Sequence, residues 1–273
     1  MKKRLTSVSG IILLLAFSLV SSCSTENESS DKTTGALSAK AAAVGPENAK
    51  NPYDKTGELH NAVMQMIFDD RANFSGDLEQ TVSYGNTILT EKYEFEESDL
   101  PTVEEVKTVL SDSLSFYKNN IANSSYSEGT KEGLNKLMVI IENAASNEKT
   151  TYSSFKDEIV SFEDDILAGS LTEQQKTEIL QVTSITRYST YFWNTKYSGQ
   201  YETTTALFGK RKWWKWLIIG VADSAGGITG GIAGSPTVVG IAAGAVAGAV
   251  GTSAGALALV DAVWPEDPAT TTP

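Results

Sequence analysis

The sequence has little of the chemistry that enzymes and metalloproteins commonly use. Its 273 residues include one cysteine, Cys23, and one histidine, His60. Metal sites usually recruit several histidines or cysteines, and a nucleophile–base pair needs a serine or an acid at a suitable spacing, which His60 lacks. We therefore expect no metal, no cofactor and no catalytic residue. We interpret His60 as a polar residue near the start of a helix.

Basic residues are also scarce. The chain carries 22 Lys and Arg against 34 Asp and Glu, which gives a formal net charge of −12. Binding to a phosphate backbone requires a basic surface, so nucleic acid is excluded as a partner. The charge is uneven, because residues 210–273 hold four basic and four acidic residues and the acidic excess lies before them. This division predicts an acidic part followed by a neutral, apolar part.

Alternation of apolar and polar residues, the pattern of β-strands, is not sustained anywhere in the chain. Over residues 51–200 apolar residues recur instead at helical spacing. The clearest example runs from Phe155 to Ile166 and ends at Gly169, and Thr172 with Gln175 predicts a capping box that begins the next helix. The sequence therefore predicts an all-α fold, with a bundle of amphipathic helices over residues 51–200.

Residues 1–22 have the build of a secretory signal peptide. The basic residues Lys2–Arg4 precede an apolar stretch, Ile11–Val20, that is too short to span a bilayer comfortably. The sequence Val20-Ser21-Ser22-Cys23 resembles a bacterial lipobox, in which the signal is cleaved before the cysteine and the cysteine is acylated. The resemblance implies a lipoprotein that is anchored through Cys23 in the bacterial cell envelope, at the outer membrane, and whose mature chain has no free thiol.

Residues 23–50 are polar, small and aperiodic, which predicts a flexible tether between the lipid and the helical body. Glu26, Glu28 and Asp31 follow the cysteine and resemble the acidic export tag of surface lipoproteins in Bacteroidota, which implies exposure on the cell surface. The segment Asn51–Asn61, NPYDKTGELHN, resembles the start of the mature part in some uncharacterised exported proteins of Bacteroidota. That resemblance implies no activity.

The carboxy-terminal part contains a long apolar run. From Leu217 to Val263 there are two charged residues, one of which is Asp223. Gly234-Ser235-Pro236 breaks the run into two halves, each near the length that crosses a hydrocarbon core. We therefore predict a helical hairpin over residues 210–264, followed by a short tail, residues 265–273.

Glycines in the predicted hairpin recur every four residues, which places them along one face of a helix. Such a stripe has no side chains, so helix backbones can approach closely, and close packing drives helix association in lipid. The pattern resembles the glycine-zipper hairpins of membrane-active bacteriocins and small envelope proteins, which implies membrane insertion or self-association. The alternative is that the hairpin packs against the bundle. The predicted packing residues are Gly226, Gly230, Gly234, Gly240, Gly244, Gly248, Gly251 and Gly255.

Aromatic and basic residues flank the predicted hairpin. A turn at Ser235-Pro236 would bring the indoles at both ends to one membrane interface, beside cations that contact anionic headgroups. Asp223 lies about two turns inside this belt, where a carboxylate is costly in lipid; it is a candidate intramembrane polar site or the cap of a helix that begins later. The predicted interface residues are Lys210, Arg211, Lys212, Trp213, Trp214, Lys215, Trp216 and Trp264.

Two further patterns have simpler interpretations. Gly251–Gly255, GTSAG, matches the hydrolase motif GxSxG, but it lies inside the glycine repeat and far from His60 in sequence, and no strand precedes it. We interpret it as a coincidence of glycine spacing. The acidic run Glu91–Asp99 lacks the spacing and the glycine of a calcium loop, and we interpret it as a solvated surface.

Together these features predict a non-enzymatic, lipid-anchored envelope protein whose partners are membrane lipids. Its hairpin would insert into a membrane, as in an antibacterial or pore-forming effector, or would build a homo-oligomer in a structural or scaffolding protein. A third hypothesis is a ligand- or carbohydrate-binding module within the helical bundle.

Overall fold

The computed structural model describes residues 45–73, 77–111, 113–147, 149–198, 223, 226, 227 and 238–263. Every regular element within these ranges is helical and no strand occurs among them, which confirms the predicted all-α class. Several predicted features lie outside the described residues: the signal peptide, Cys23, most of the tether, Lys210 to Trp216, Gly230, Gly234, Trp264 and the tail.

Eight α-helices follow one another along the described chain. They are α1 (Asp54–Asp70), α2 (Leu78–Tyr93), α3 (Val103–Ser111), α4 (Ser113–Asn123), α5 (Glu128–Ser146), α6 (Tyr152–Ala168), α7 (Glu173–Ser198) and α8 (Val238–Val263). Short 3₁₀ turns occupy Arg71–Asn73 and Glu97–Asp99, and Asp223, Gly226 and Gly227 are also helical. None of the helices in the described ranges is both long and apolar enough to cross a membrane.

Helix ends follow local sequence signals. At the start of α7 the backbone N–H of Gln175 donates to Thr172 Oγ1 at 3.3 Å, and Gln175 Oε1 accepts from the backbone N–H of Thr172 at 2.9 Å. The predicted capping box is therefore confirmed. Thr151 and Ser154 form a second such box before α6, and Gly169 ends α6 as predicted. These bonds satisfy N–H groups that have no partner inside the helix.

Two large hydrophobic clusters form most of the core of the described residues, and α7 contributes to both; Ile185 of α7 with Ala245 and Ala249 of α8 forms a third, small cluster. The first joins α1, α2, α3, α7 and α8 and includes Ile67, Leu89 and Trp193, which are fully buried. The second joins α3 to α7 and includes Leu137 and Phe155. The amino-terminal half of α7 packs in the second cluster and the carboxy-terminal half packs in the first, so α7 connects the two.

Helix α8 packs in the first cluster and in the small third one. Every non-glycine residue from Ala245 to Ala256 is at most 5 % exposed, and α8 contacts α1, α2, α3 and α7. A helix that is apolar on every face is buried when other helices surround it. The division into a bundle over residues 51–200 and a separate hairpin over residues 210–264 thus differs from the described part of the structure. The glycines and alanines of α8 let four helices approach it, so α8 is part of the bundle core.

The segment before α1 also packs on the helical body. The predicted tether runs to Lys50, yet Asn48 is 7 % exposed and its Nδ2 donates to Glu163 Oε2 at 2.6 Å. Lys156 Nζ donates to the carbonyl oxygen of Gly45 at 2.6 Å. Residues 45–50 therefore belong to the folded body and correct the predicted tether boundary, because the buried Glu163 carboxylate requires hydrogen-bond donors.

Candidate functional site

A buried polar centre lies where α1, α7 and α8 meet. Its six residues, which we call the Asp223 centre, come from the helical residue Asp223, from α1, from two positions of α7 and from two of α8. Ser189 and Trp193 are four residues apart on one face of α7, and Thr252 and Ser253 are adjacent in α8. All six residues are at most 1 % exposed. They are Asp223, His60, Ser189, Trp193, Thr252 and Ser253.

The Asp223 carboxylate is surrounded by hydrogen-bond donors. Its Oδ2 contacts the hydroxyl groups of Ser189 and Ser253 and accepts from Trp193 Nε1 at 3.2 Å. Its Oδ1 lies 3.5 Å from Thr252 Oγ1, which also donates to backbone carbonyls of its own helix. A buried carboxyl group requires such partners, because an unpaired buried polar group costs about 1–3 kcal/mol.

His60 lies against the same carboxyl group. Its Nε2 is 3.2 Å from Ser253 Oγ and 3.8 Å from Asp223 Oδ2. Its Nδ1 is 3.0 Å from Asn61 Oδ1, while Asn61 Nδ2 donates to the carbonyl oxygen of Tyr188 at 2.8 Å. Because the amide nitrogen of Asn61 is engaged with Tyr188, its Oδ1 is the acceptor and His60 Nδ1 is the donor. A neutral His60 therefore presents a lone pair at Nε2.

Burial changes the protonation of both titratable groups in the Asp223 centre. It raises the pKa of Asp223 to about 7, against the opposing effect of hydrogen bonds from Ser189, Ser253, Trp193 and Thr252. Burial also lowers the pKa of His60 to about 4, although contacts with the Asn61 side chain and the Ala249 backbone favour its protonated form. Between these two values the carboxyl group is protonated and the imidazole is neutral.

The Asp223 centre contains the residue types of a hydrolytic triad in a different arrangement. In a triad the carboxylate contacts the ring nitrogen that faces away from the serine. Here Asp223 and Ser253 both lie at Nε2, and Asn61 occupies Nδ1. Ser253 is inside α8 and fully buried, whereas the GxSxG serine stands exposed at a strand–helix turn.

The proximity of His60 and Ser253 was missed by sequence reasoning. The two residues are 193 positions apart, and their ring nitrogen and hydroxyl oxygen lie within hydrogen-bond distance. The sequence signals that existed were polar residues at unusual places: a histidine in the apolar stripe of α1, and Thr252-Ser253 inside an otherwise apolar helix. Asp223, which the sequence singled out, lies in this structure among protein side chains.

A second buried polar cluster joins α1, α6 and α7. We call it the Arg187 network. Arg187, fully buried on α7, forms ion pairs with Glu163 of α6 and Asp54 of α1 and donates to the carbonyl oxygen of Pro46. Burial alone would lower the pKa of Arg187, but the two carboxylates raise it above its ordinary value. Thr183 also donates to Glu163 Oε1 at 2.6 Å.

The segment Asn51–Asn61 is explained by these two clusters. Asn51 Nδ2 donates to Glu163 Oε1 at 2.7 Å, and Asp54 pairs with Arg187. Gly57 must lack a side chain, because a Cβ there would lie 2.5 Å from the Tyr188 ring and 2.6 Å from the carbonyl oxygen of Ser184. The residues that define the segment therefore attach α1 to α7, which is a structural role.

Several predicted packing glycines do form close helix contacts, and the partners belong to the same chain. A Cβ on Gly226 would lie 2.4 Å from the carbonyl oxygen of Gly248. A Cβ on Gly251 would lie 2.5 Å from Pro101, and one on Gly255 would lie 2.6 Å from Leu110. Gly244 is buried in α8, and Gly240 lies in its first turn. The glycine stripe of α8 is thus covered by the loop before α3 and by α3.

A small pocket opens beside the Asp223 centre. It has a volume of about 70 Å³, and its lining includes Asp99, Glu105, Gly226, Gly248 and Thr252. Thr252 is the link between them, because it lines the pocket and also lies beside Asp223. No group of three or more potential metal ligands occurs in the described ranges.

Comparison of the chain with protein-family models, with curated proteins and with solved structures finds no match. The function must therefore be inferred from the sequence and from the geometry of the sites.

Proposed function

We propose that the chain is a non-enzymatic, lipid-anchored protein of the bacterial cell envelope that stores a glycine-rich, membrane-active helix inside an α-helical bundle. One observation carries the proposal: from Ala245 to Ala256 α8 is buried against neighbouring helices, and apart from Thr252 and Ser253 this stretch consists of glycine and apolar residues. The resemblance of Val20–Cys23 to a lipobox and the polar residues that follow it support envelope anchoring, and the acidic composition argues against nucleic acid as a partner.

The covering helices separate α8 from lipid and from other copies of the chain. The side-chain-free face at Gly251 and Gly255 is occupied by Pro101, Val106 and Leu110. When these contacts open, the same face becomes available to a membrane or to a second copy, since small-residue stripes support close helix packing in lipid. The opened state would act on lipid as a pore-forming effector, or would self-associate as a scaffold.

The test loosens the cover without changing α8. Val106 of α3 is 1 % exposed and lies against Gly251 and Gly255, so Val106→Ala leaves a cavity beside the stripe. Val182 of α7 is 2 % exposed in the second cluster, so Val182→Ala is a matched control of the same chemistry. Both variants are made in the full mature chain with Cys23→Ala, and release of dye from phosphatidylethanolamine–phosphatidylglycerol vesicles is measured.

We expect Val106→Ala to release dye at least several-fold faster than the parent chain and Val182→Ala to resemble the parent. Equal acceleration by both variants would indicate a general effect of unfolding. If urea denaturation shows that Val106→Ala is destabilised and yet no dye is released, the membrane proposal is wrong. Cross-linking of the same samples in detergent then distinguishes a self-associating scaffold, which would give discrete oligomers.

A second candidate function, binding of a small ligand by the bundle, is favoured by the pocket at Thr252. Its volume of about 70 Å³ suits only a few heavy atoms. Val109 lines the pocket, so Val109→Phe should fill it. Fragments are screened against the parent chain and against Val109→Phe by chemical-shift perturbation. If no fragment binds the parent and fails to bind Val109→Phe, this candidate function is wrong.

A further inference from the structure

The hydrogen bonds of the Asp223 centre form one chain with a defined direction. Asn61 fixes Nδ1 of His60 as the proton donor, so a neutral His60 accepts at Nε2. The neighbour at Nε2 is Ser253 Oγ, 3.2 Å away, and its hydroxyl group has one proton to donate. When Ser253 donates that proton to His60, it requires a donor of its own.

That donor is the carboxyl group of Asp223, which contacts Ser253 through Oδ2. A protonated Oδ2 donates to Ser253 and keeps one in-plane lone pair, which accepts from Ser189 or from Trp193 Nε1. Ser253 Oγ, His60 Nε2 and Asp223 Oδ2 then each have a hydrogen-bond partner. If Asp223 is ionised and His60 is neutral, both groups are acceptors and Ser253 has one proton to donate. Ser253 then donates to one of them, and the other receives no hydrogen bond from Ser253.

We propose that the Asp223 centre holds one titratable proton, which lies on Asp223 and is linked to Nε2 of His60 through the Ser253 hydroxyl group. The resulting hydrogen bonds hold α1, α7 and α8 together around Asp223. Loss of the proton to solvent leaves a buried carboxylate and an unsatisfied imidazole nitrogen. Gain of a second proton turns His60 into an imidazolium that can no longer accept from Ser253. Either change opens the chain of hydrogen bonds at the point where the three helices meet.

The surrounding charges leave this proton to Asp223 and His60. Among the described residues, His60 is the titratable group in contact with Asp223. On α7 the buried Arg187 is paired with Asp54 of α1 and Glu163 of α6, and the buried Glu178 accepts from Thr130 of α5. The charged side chains of α2 are exposed, and Asp99 and Glu105 line the pocket. The residues that α8 contributes to the centre, Thr252 and Ser253, are neutral.

The opposite effects of burial on the two groups agree with this placement. The pKa of Asp223 is raised to about 7 and the pKa of His60 is lowered to about 4. In an unfolded chain at a pH of about 5.5 the proton resides on the imidazole and the carboxyl group is ionised. Folding therefore transfers one proton from His60 to Asp223 with no net uptake. The pocket gives a route for exchange, because it reaches Thr252 beside Asp223 Oδ1.

The experiment locates the proton by NMR in the full mature chain with Cys23→Ala. Because the chain has one histidine, its two imidazole nitrogens give unambiguous ¹⁵N signals. At a pH of about 5.5 we expect a neutral imidazole ring protonated at Nδ1. We also expect the side-chain carboxyl ¹³C chemical shift of Asp223 to be that of a protonated acid; this signal is assigned by its loss in Asp223→Asn. Raising the pH should ionise Asp223 and shift the Nε2 signal in the same transition.

Two serine variants separate the relay from general polarity. Ser253→Ala removes the bridge, so the Nε2 signal should lose its response to ionisation of Asp223. Ser189→Ala removes a hydroxyl that contacts Asp223 and should keep that response. An imidazolium beside a carboxylate at a pH of about 5.5, the arrangement that the Ala249 carbonyl would favour, would overturn the proposal. If Ser253→Ala does not fold, the parent spectrum alone decides where the proton lies.

Discussion

Replacing Asp223 with asparagine should change how stability depends on pH. Asparagine has nearly the shape of a protonated aspartic acid and does not ionise, and its amide can present either its NH2 group or its oxygen to Ser189, Ser253 and Trp193, which all contact Asp223 Oδ2. Asp223→Asn therefore removes the ionisation of the centre and keeps part of its hydrogen bonds, so the change of stability with pH is the quantity to compare, not the absolute stability. His60→Gln removes the other titrating group and keeps an acceptor for Ser253.

The magnitude follows from the two pKa values. Folding raises the pKa of Asp223 from 3.8 to about 7, and one pKa unit corresponds to about 1.4 kcal/mol. The contribution of Asp223 to the free energy of unfolding therefore falls by about 4 kcal/mol as the pH rises from 4 to above 7. The pKa of His60 falls from 6.5 to about 4, so folding loses about 3 kcal/mol as the pH falls through that range. In the parent chain the two slopes nearly cancel.

The assay is urea unfolding followed by circular dichroism at pH 4.5 and 7.5. The free energy of unfolding of Asp223→Asn minus that of the parent should be about 3 kcal/mol larger at pH 7.5 than at pH 4.5, because only the parent is destabilised by ionisation of Asp223. For His60→Gln the relative value should shift by about 2–3 kcal/mol in the opposite direction. Taking differences removes the contributions of the other titrating groups.

Thr190→Val is the matched control for this experiment. Thr190 is fully buried on α7 beside Ser189, and its hydroxyl oxygen has no hydrogen-bond partner among the described residues. The substitution should be neutral or stabilising by up to about 1 kcal/mol, with the same value at both pH values, because it adds and removes no charge. If the relative stability of Asp223→Asn is equally independent of pH, Asp223 is ionised in the fold and the reasoning about the centre is refuted.

Two further pairs of variants test the packing and the ion pairs by urea unfolding. Gly226→Ala should lose about 1–3 kcal/mol because its Cβ would meet the carbonyl oxygen of Gly248 at 2.4 Å, whereas Gly227→Ala, with its nearest contact at 3.2 Å, should lose less; equal losses would contradict the close contact. Arg187→Met should lose about 3–5 kcal/mol by leaving buried carboxylates unpaired, and Lys50→Ala, from an exposed pair, less than about 1 kcal/mol. Similar losses in both would show that burial of Arg187 does not matter.

Several local features could be predicted because their causes are local. The Thr172–Gln175 capping box and the helix that ends at Gly169 depend on hydrogen bonds and apolar spacing within a few residues. The candidate site was reached in part, because a lone carboxylate in an apolar run, Asp223, is unusual whatever surrounds it. Its partners could not be predicted, since an isolated histidine and a Thr-Ser pair are compatible with many positions.

By itself the sequence determined the all-α class, the end of α6 and the start of α7, the acidic character and the apolar, glycine-spaced nature of α8, since periodicity and composition act along the chain. Only the tertiary structure decided what α8 packs against, because an apolar helix gains from burial in lipid or in protein alike. It also decided that His60 meets Ser253 and that Arg187 meets Asp54 and Glu163. Those contacts depend on how the helices are arranged in space, and a buried polar group is satisfied by whichever partner that arrangement brings within about 3 Å.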